Sequence, residues 1–276
     1  MRPDVSVIMP AYRAAATIVQ AVQSVLAQKG VRVELVLCAD DDVDYTAILP
    51  ADLRAGDNVT FCRTPAPRSG PSVARNLAAR LARADIIACL DADDAYAPDR
   101  LARLLPLAER YGVATGPTRE IDPHTRAMRI AQPRRGGDFL PIADICELRM
   151  PFSPVYRKSI CPAGWPALDF AEDVILNVDL YCATAAYPFV EGAEYIYHLS
   201  DGSRSHSAHA LERARSGYLQ ILELVDQRDW PTAVRELVRR VFSEDLTAVE
   251  RARAQAASQA ESTSTWREVV RDGYTR

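Results

Sequence analysis

Three aspartates, Asp91, Asp93 and Asp94, lie within four positions of one another in the segment CLDADDAYAPDRL. They directly follow the apolar run 85–90, which is typical of a buried strand. Like charges this close repel one another, and Mg²⁺ or Mn²⁺ relieves the repulsion by binding a few carboxylate oxygens together with water or phosphate oxygens. A bound cation also attracts a diphosphate, which bare carboxylates would reject. The cluster therefore indicates a diphosphate site that works through a metal.

The common glycine-rich phosphate motifs, GxGxxG and GxxxxGK[ST], do not occur in the sequence. Dinucleotide-binding and P-loop functions therefore lack support. A DxD pair alone also occurs by chance on exposed loops. Here it stands between a buried strand and the helix-like segment 98–111, and this position favours a ligand-binding role.

Strand-like apolar runs alternate with segments whose apolar residues recur at helical spacing. The strand-like runs are 5–9, 33–38, 58–62 and 85–90, and the helical segments between them include 17–30 and 69–84. This alternation predicts a mainly parallel sheet with helices on both faces. Ligands of such sheets bind outside the carboxyl ends of the strands, so the acidic loops 39–44 and 91–94 are expected at the binding edge.

The second half of the chain is less regular. Mixed strands and surface loops are expected over 113–170, a helix over 170–186, and a strand followed by a polar loop over 194–207. From about residue 208 onward the apolar spacing is helical. We therefore expect an α/β domain over residues 1–206 and a helical C-terminal extension over residues 207–276.

Composition excludes several classes of protein. The net charge is −4 and the pI is about 5.7, so there is no overall basic surface for nucleic acid. No stretch approaches the roughly 20 apolar residues of a membrane span, and the N-terminus has no apolar signal core. The six cysteines form no CxxC pair, which argues against a disulfide scaffold or zinc ribbon. These features favour a cytoplasmic protein with reduced thiols. If its acceptor is lipid-linked, we expect it at the inner face of the membrane.

Four sequence blocks occur in an order typical of one family. They are SVIMPAYRAAATIVQAVQSVLAQ, SGPSVARNLAARLARADIIACLDADDAYAPDRL, FAEDVILNVDL and YHLSDGSRSH. Together they resemble the family 2 inverting glycosyltransferases with the GT-A fold, over about residues 4–206. The resemblance implies a Rossmann-like domain with a nucleotide-binding half at about 1–112 and an acceptor half at about 113–206.

The residues that this resemblance places around the nucleotide are Pro10, Ala11, Tyr12, Asp40, Arg68, Arg75 and Asp91. The first three would pack around the nucleoside, with the tyrosine ring against the base. Asp40 would accept a hydrogen bond from the base, although Ala39 replaces the first aspartate of the family's loop. Arg68 and Arg75 would each reach the base or the diphosphate. Asp91 would face the ribose or a metal-bound water.

For the metal site, the resemblance implies Asp93 as the direct ligand of Mn²⁺ or Mg²⁺. His198 or His206 would complete the metal site or the diphosphate site. The closing block departs from the family, because Ser200 stands where histidine is frequent and His198 where arginine is frequent. Asp94 is expected to belong to the loop and the start of the next helix.

Asp173, in the block FAEDV, matches the family's catalytic base. A sugar hydroxyl is a poor nucleophile until a carboxylate takes its proton. Glu172 would bind the acceptor hydroxyl or steady the loop, and acids at this position also cap helices. Trp165 would offer a flat face to an acceptor sugar or serve as a core residue.

The resemblance implies an inverting hexosyl transfer from a nucleotide diphosphate, with UDP as the expected nucleotide, to a glycan or lipid-linked oligosaccharide in bacterial-type polysaccharide assembly. Two other classes stay open at this point. A nucleotidyltransferase of similar fold usually has an N-terminal glycine-rich loop, and PAYRAAATIV contains no glycine. A non-catalytic glycan-assembly subunit would keep the fold without turnover. The C-terminal helices are the candidate surface for peripheral membrane contact or for a homodimer.

Overall fold

The computed structural model describes residues 2–54, 56–122, 128–134, 137–148, 152–199, 209–258, 266 and 269–270. Its strands are β1 (Val5–Ala11), β2 (Val33–Ala39), β3 (Val59–Arg63), β4 (Ile86–Cys89), β5 (Ala95–Tyr96), β6 (Val113–Ala114), β7 (Thr118–Ile121), β8 (Met128–Ala131), β9 (Val155–Arg157) and β10 (Tyr195–His198). Its α-helices are α1 (Ile18–Leu26), α2 (Tyr45–Ile48), α3 (Ala51–Arg54), α4 (Pro71–Leu81), α5 (Arg100–Tyr111), α6 (Ile142–Glu147), α7 (Glu172–Cys182), α8 (Ala210–Leu224) and α9 (Thr232–Ser258).

The central sheet has six strands in the order β3-β2-β1-β4-β9-β6. Strand β1 pairs in parallel with β2 and β4, and β2 pairs in parallel with β3. Strand β9 is antiparallel to both of its neighbours. The prediction of a mainly parallel sheet is therefore confirmed, and its four parallel strands are the four strand-like runs of the sequence.

Helices cover both faces of this sheet. The sheet itself separates two apolar cores, one on each face. On one face, Ile8 and Val36 pack with Ala74 and Ala78 of helix α4. On the other face, Val7 and Leu37 pack in the same cluster as Ile18 and Val22 of α1. Alternate residues of β1 thus enter opposite cores, which explains why the run is apolar without interruption.

A smaller sheet, ordered β5-β10-β7-β8, lies beside the carboxyl edge of the central one. Strand β5 follows the acidic loop directly, and it pairs with β10 through Tyr96 and Tyr195. The strand predicted at the start of 194–207 is thus present as β10, and the polar loop predicted after it lies outside the described residues from residue 200 on. Strand β5 has only two residues, and the sequence did not predict it. The small sheet fixes the acidic loop from the side opposite β4.

The C-terminal helices α8 and α9 pack against α7 through an apolar cluster that includes Ile175, Ile221 and Val238. The predicted helical extension is therefore present over Ala210–Ser258. The predicted domain boundary at 206/207 falls outside the described residues. Within the described part of the chain, no helix has the length and apolarity that crossing a membrane requires.

Candidate active site

The acidic loop follows β4 at the carboxyl edge of the central sheet. The backbone N–H of Asp94 donates to the carbonyl of Asp91 (3.1 Å), which closes a turn between the two residues. The Tyr195 hydroxyl donates to Oδ2 of Asp94 (2.6 Å) and accepts from the backbone N–H of Asp91 (3.2 Å). The N–H of His198 donates to Oδ1 of Asp94 (2.9 Å). Asp94 therefore anchors the loop to β10, and sequence reasoning missed Tyr195 as its partner.

Burial and mutual repulsion disfavour ionised carboxylates in this loop. Burial raises the pKa of Asp93 to about 6, and the charge of Asp91 adds to the effect. Burial also raises the pKa of Asp94 well above its usual range, reinforced by Asp93 and then Asp91. A divalent cation at this position would favour the ionised forms. The loop is therefore electrostatically prepared to accept positive charge.

The donor set fits a metal that is shared with substrate phosphates. Ring nitrogen Nδ1 of His198 lies 3.0 Å from the Asp93 carbonyl oxygen. With its proton on Nδ1, His198 donates to that carbonyl and leaves Nε2 as a free ligand, the arrangement usual for metal-bound histidines. No three His, Cys, Asp or Glu side chains among the described residues form a complete metal cage. Mg²⁺ at phosphate sites is commonly held by one or two carboxylates, with the rest supplied by water and substrate.

Arg75 of helix α4 joins the acidic loop to helix α7. Its Nη2 donates to Oδ1 of Asp91 (2.7 Å), and its Nη1 donates to Oε1 of Glu172 (3.0 Å). The Arg75 side chain is 7% exposed, that of Glu172 12% and that of Asp91 39%, so solvent screens the pair with Glu172 less than the pair with Asp91. A single buried guanidinium thus ties together the elements that carry Asp91 and Asp173.

Asp173 lies in the first turn of α7, next to Glu172. Burial raises its pKa to about 6, the charge of Glu172 adds to this, and the Arg75 cation opposes it. The amide of Asn177 donates to the Asp173 carbonyl oxygen (2.8 Å) and to that of Phe152 (2.9 Å). A carboxylate with such a pKa is ionised at neutral pH and is a stronger base than an ordinary aspartate.

Trp165 is 5% exposed, and its ring lies under the Arg75 guanidinium at 4.2 Å. Two hydrogen bonds fix its backbone to the Asn76 side chain, one from Nδ2 to the carbonyl and one from the Trp165 N–H to Oδ1, both 2.8 Å. The structure thus favours the packing alternative for Trp165 over contact with an acceptor sugar. The cation–π contact positions Arg75.

The loops predicted to hold the nucleoside lie at the same edge. Pro10 and Ala11 end strand β1, and Tyr12 follows with 41% of its surface exposed. Asp40 is buried, and its carboxylate accepts hydrogen bonds from Thr64 and from the backbone N–H groups of residues 69 and 70 (2.8–2.9 Å). Oδ2 of Asp40 accepts only one of these bonds and keeps capacity for another.

Arg68 and His206 are the remaining residues that the sequence predicted for the site. Arg68 is exposed, with φ 63°, and its backbone N–H donates to the Asp40 carbonyl (2.8 Å). Its side chain is free to turn toward a ligand at this edge, whereas Arg75 is committed to Asp91 and Glu172. His206 and Ser200 lie outside the described residues.

The family model for glycosyl transferase family 2 matches residues 6–159. The chain belongs to this family. The match covers more than half of the chain and includes the acidic loop, Asp40 and Arg75. It ends before Asp173 and helix α7.

Two curated relatives illustrate where the chain stands within the family. It is 30% identical over 226 residues to the succinoglycan biosynthesis protein ExoO of Rhizobium meliloti, a match that spans 74% of this chain and 63% of ExoO. It is 37% identical over 97 residues to WfgD of Escherichia coli, a UDP-Glc:alpha-D-GlcNAc-diphosphoundecaprenol beta-1,3-glucosyltransferase, over 35% of this chain and 38% of WfgD. The chain therefore spans less than two thirds of the length of either relative.

Solved structures show the same fold. Residues 1–349 of S. aureus TarS in complex with UDP-GlcNAc superpose with a TM-score of 0.69 at 18% identity, over 93% of this chain and 75% of that one. The mannosyltransferase PcManGT from Pyrobaculum calidifontis, in complex with GDP-Man and Mn²⁺, superposes with a TM-score of 0.64 at 16% identity, over 100% of this chain and 80% of that one. The GT-A fold implied by the sequence resemblance is thus confirmed.

Proposed function

We propose that this glycosyltransferase is metal-dependent and inverting, and that it moves a hexosyl group from a nucleotide diphosphate, with UDP as the first choice, to a glycan or lipid-linked hydroxyl. The observation that carries the proposal is the Arg75 bridge. It joins Asp91 of the acidic loop to Glu172 (2.7 and 3.0 Å), directly beside the half-buried Asp173. A site for a departing diphosphate and a base for an incoming hydroxyl therefore belong to one connected structure.

The reaction is a direct displacement in this proposal. Asp173 takes the proton of the acceptor hydroxyl while that oxygen bonds to the anomeric carbon. The bond from the anomeric carbon to the diphosphate oxygen breaks, and its electron pair leaves with the nucleotide. Attack opposite the leaving group turns an α-linked donor into a β-linked product. No enzyme nucleophile takes part.

Asp93, with Asp91 and His198 beside it, would hold Mn²⁺ or Mg²⁺. When bound, such an ion supplies positive charge that stabilises the leaving diphosphate. Asp93 and Asp94 with raised pKa values, and His198 with Nδ1 directed at a carbonyl, support this assignment. Arg75 keeps Asp91 oriented through Oδ1, so that Oδ2 stays available for a ribose hydroxyl or a metal-bound water.

For the nucleoside we propose Tyr12 as the stacking surface beside Pro10 and Ala11, and Oδ2 of Asp40 as acceptor for the base. The exposed Arg68 would reach the diphosphate. UDP is favoured because TarS is described with UDP-GlcNAc and WfgD with UDP-Glc, whereas PcManGT is described with GDP-Man. The names of ExoO and WfgD support a role in polysaccharide assembly and an acceptor of the diphosphoundecaprenol type.

A cytoplasmic location belongs to the same proposal. The six cysteines, all in the described part of the chain, form no disulfide, as expected where thiols stay reduced. Contact of the C-terminal helices with a membrane or with a second copy of the chain stays a prediction.

Calorimetry with UDP, with and without Mn²⁺, tests the donor site. We expect binding that strengthens several-fold with Mn²⁺, and GDP serves as the comparison nucleotide. A protein that binds neither nucleotide would exclude the transferase. Release of pyrophosphate from a nucleoside triphosphate and a sugar phosphate, in place of UDP from a sugar nucleotide, would identify the rival nucleotidyltransferase.

The substitution Asp173→Asn tests the base. We expect turnover of the best donor from a UDP-sugar panel to fall by about 10²–10⁴-fold while UDP affinity stays within twofold. Asp179→Asn is the matched control, because Asp179 is in the same helix but bonds to Trp230 and Arg228 away from the site. Near-normal turnover in Asp173→Asn would refute the assignment and favour a non-catalytic subunit or another base.

The pH profile gives a second test of the base. Because Asp173 must be ionised to accept a proton, kcat/KM should fall as the pH drops through about 6. Glu172→Gln removes the neighbouring charge that raises the Asp173 pKa, so the acidic limb should move to lower pH. A limb that stays in place would show that another group controls it.

A further inference from the structure

Ala171, the residue before Glu172, has a left-handed backbone with φ 61° and ψ 28°. A residue with a Cβ atom rarely adopts this conformation and keeps it only where the surrounding structure holds it. The Ile175 N–H bonds to the Ala171 carbonyl (3.2 Å), so the first turn of α7 grows directly from this strained residue. The direction in which Glu172 and Asp173 project depends on it.

Helix α8 holds the two residues that come before Ala171. Gln220 Oε1 accepts from the Asp169 N–H (3.1 Å), and Gln220 Nε2 donates to Asp169 Oδ2 (3.2 Å). The Ser216 hydroxyl donates to the same oxygen (2.6 Å). Three hydrogen bonds from one face of α8 therefore fix Asp169 at both its backbone and its side chain.

The next residue, Phe170, packs directly on Gly217 of the same helix. A Cβ atom added at Gly217 would lie 2.7 Å from the Phe170 Cβ, 2.8 Å from its nitrogen and 2.9 Å from its oxygen. Only glycine lets the two backbones come this close. The Phe170 ring also meets Tyr218 edge-on, with ring centroids 6.1 Å apart.

We propose that Ser216, Gly217 and Gln220 of α8 form a clamp that holds Asp169 and Phe170, keeps Ala171 left-handed and so positions Glu172 and Asp173 at Arg75. These three are positioning residues, and the inference rests on the proposed function of Asp173. The C-terminal extension is then part of the active site's framework, even though α8 lies beyond the residues that the family model matches.

The first test uses the double variant Ser216→Ala/Gln220→Leu, which removes the three hydrogen bonds, and Gly217→Ala, which displaces Phe170. We expect kcat for the best donor of the UDP-sugar panel to fall at least tenfold, with UDP affinity within twofold of wild type. Leu219→Ala, on the exposed side of α8 with 37% exposure, is the control and should keep its turnover. A folded double variant with wild-type kcat would overturn the proposal.

Rescue by Ala171→Gly separates positioning from a loss of packing. Glycine adopts the left-handed conformation without strain. The triple variant Ser216→Ala/Gln220→Leu/Ala171→Gly should therefore have a kcat at least threefold higher than that of the double variant. A loosened loop would expose Asp173 to solvent. The acidic limb of the kcat/KM pH profile should therefore move to lower pH in the double variant and return to its wild-type pH in the triple variant. A double variant that has lost turnover and regains nothing with Ala171→Gly would overturn the proposal.

Hydrogen exchange provides a readout without turnover. We expect the Ile175 amide, which bonds to the Ala171 carbonyl, to exchange at least tenfold faster in the double variant, and at the wild-type rate in Leu219→Ala. Unchanged exchange in the double variant would contradict the clamp. The proposed function fails separately, if Asp173→Asn keeps its turnover, because that result does not depend on α8.

Discussion

Two acidic loops stand at the same edge of the central sheet, and the protein treats them differently. In the loop after β2, the two buried carboxylates, those of Asp40 and Asp41, accept hydrogen bonds from donors of the chain itself. Asp40 accepts from two backbone N–H groups and Thr64, and Asp41 accepts from the N–H groups of Arg13 and Val43 and from the Tyr45 hydroxyl. These aspartates hold neighbouring loops in place.

In the loop after β4, Asp94 is as buried as Asp40 and Asp41, whereas Asp93 is half-buried. Asp94 has Tyr195 and one backbone N–H, and burial raises the pKa of both residues. The two clusters have similar compositions but differ in electrostatics, because the described residues supply three donors to each buried aspartate of the first loop and only two to Asp94 of the second. The predictions below test this difference, from the largest expected effect to the smallest.

Asp93→Asn should cause the largest effect. Removal of the proposed metal ligand should lower Mn²⁺-dependent turnover by about 10²–10³-fold, because the charge that stabilises the leaving diphosphate is lost. UDP calorimetry should show that Mn²⁺ no longer strengthens binding. The matched change Asp41→Asn, in the other loop, should leave the Mn²⁺ effect intact. Equal losses of that effect in both variants would remove the distinction between the loops.

Asp40→Ala should lower the stability of the fold, in addition to the UDP affinity that the proposed contact of Asp40 with the base provides. It leaves the N–H groups of Ser69 and Gly70 without their acceptor, at a cost of about 2 kcal/mol in the free energy of unfolding. For a chain of this size, that corresponds to a melting temperature lower by roughly 4–8 °C. Asp40→Asn keeps one carbonyl acceptor and should fall in between. A melting temperature unchanged in Asp40→Ala would show that water replaces the carboxylate freely.

The contribution of Asp93 to the stability of the metal-free protein should decrease as the pH rises from about 4 to above 6. Asp93 has a raised pKa in the fold, so its favourable contribution is complete below the unfolded pKa and disappears as the group ionises near pH 6. The effect is on the order of 1–3 kcal/mol. In the presence of a metal chelator, wild type and Asp93→Asn should have the same melting temperature at pH 4, and the variant should have the higher melting temperature at pH 7. A constant difference between them would contradict the raised pKa.

Asp42→Asn should have the smallest effect. The Asp42 side chain is 91% exposed and lies 3.9 Å from Arg63, so water already satisfies it. Its melting temperature should stay within about 2 °C of wild type and turnover should be unchanged. A large loss in either measurement would mean that Asp42 touches the bound nucleotide.

Most of the sheet could be predicted from the sequence, because a strand buried on both faces must be apolar along its length. The four parallel strands and helices α1, α4 and α7 follow from such local patterns. The two-residue β5 and the three-residue β9 are too short to leave a period. Among site residues, Asp93 and Asp173 were identified as matches to family blocks, whereas Tyr195 and the α8 clamp were not identified.

The amino-acid sequence by itself determined the family, the order of strands and helices along the chain, and which carboxylates stand after strand ends. Those properties depend on local spacing and on short blocks. Only the tertiary structure decided that Asp40 and Asp41 each receive three donors while burial raises the pKa values of Asp93 and Asp94. It also decided that Trp165 packs under Arg75 and that α8 contacts Asp169 and Phe170. Each of these depends on donors and surfaces brought from distant segments, since the state of a buried charge is set by its neighbours in space.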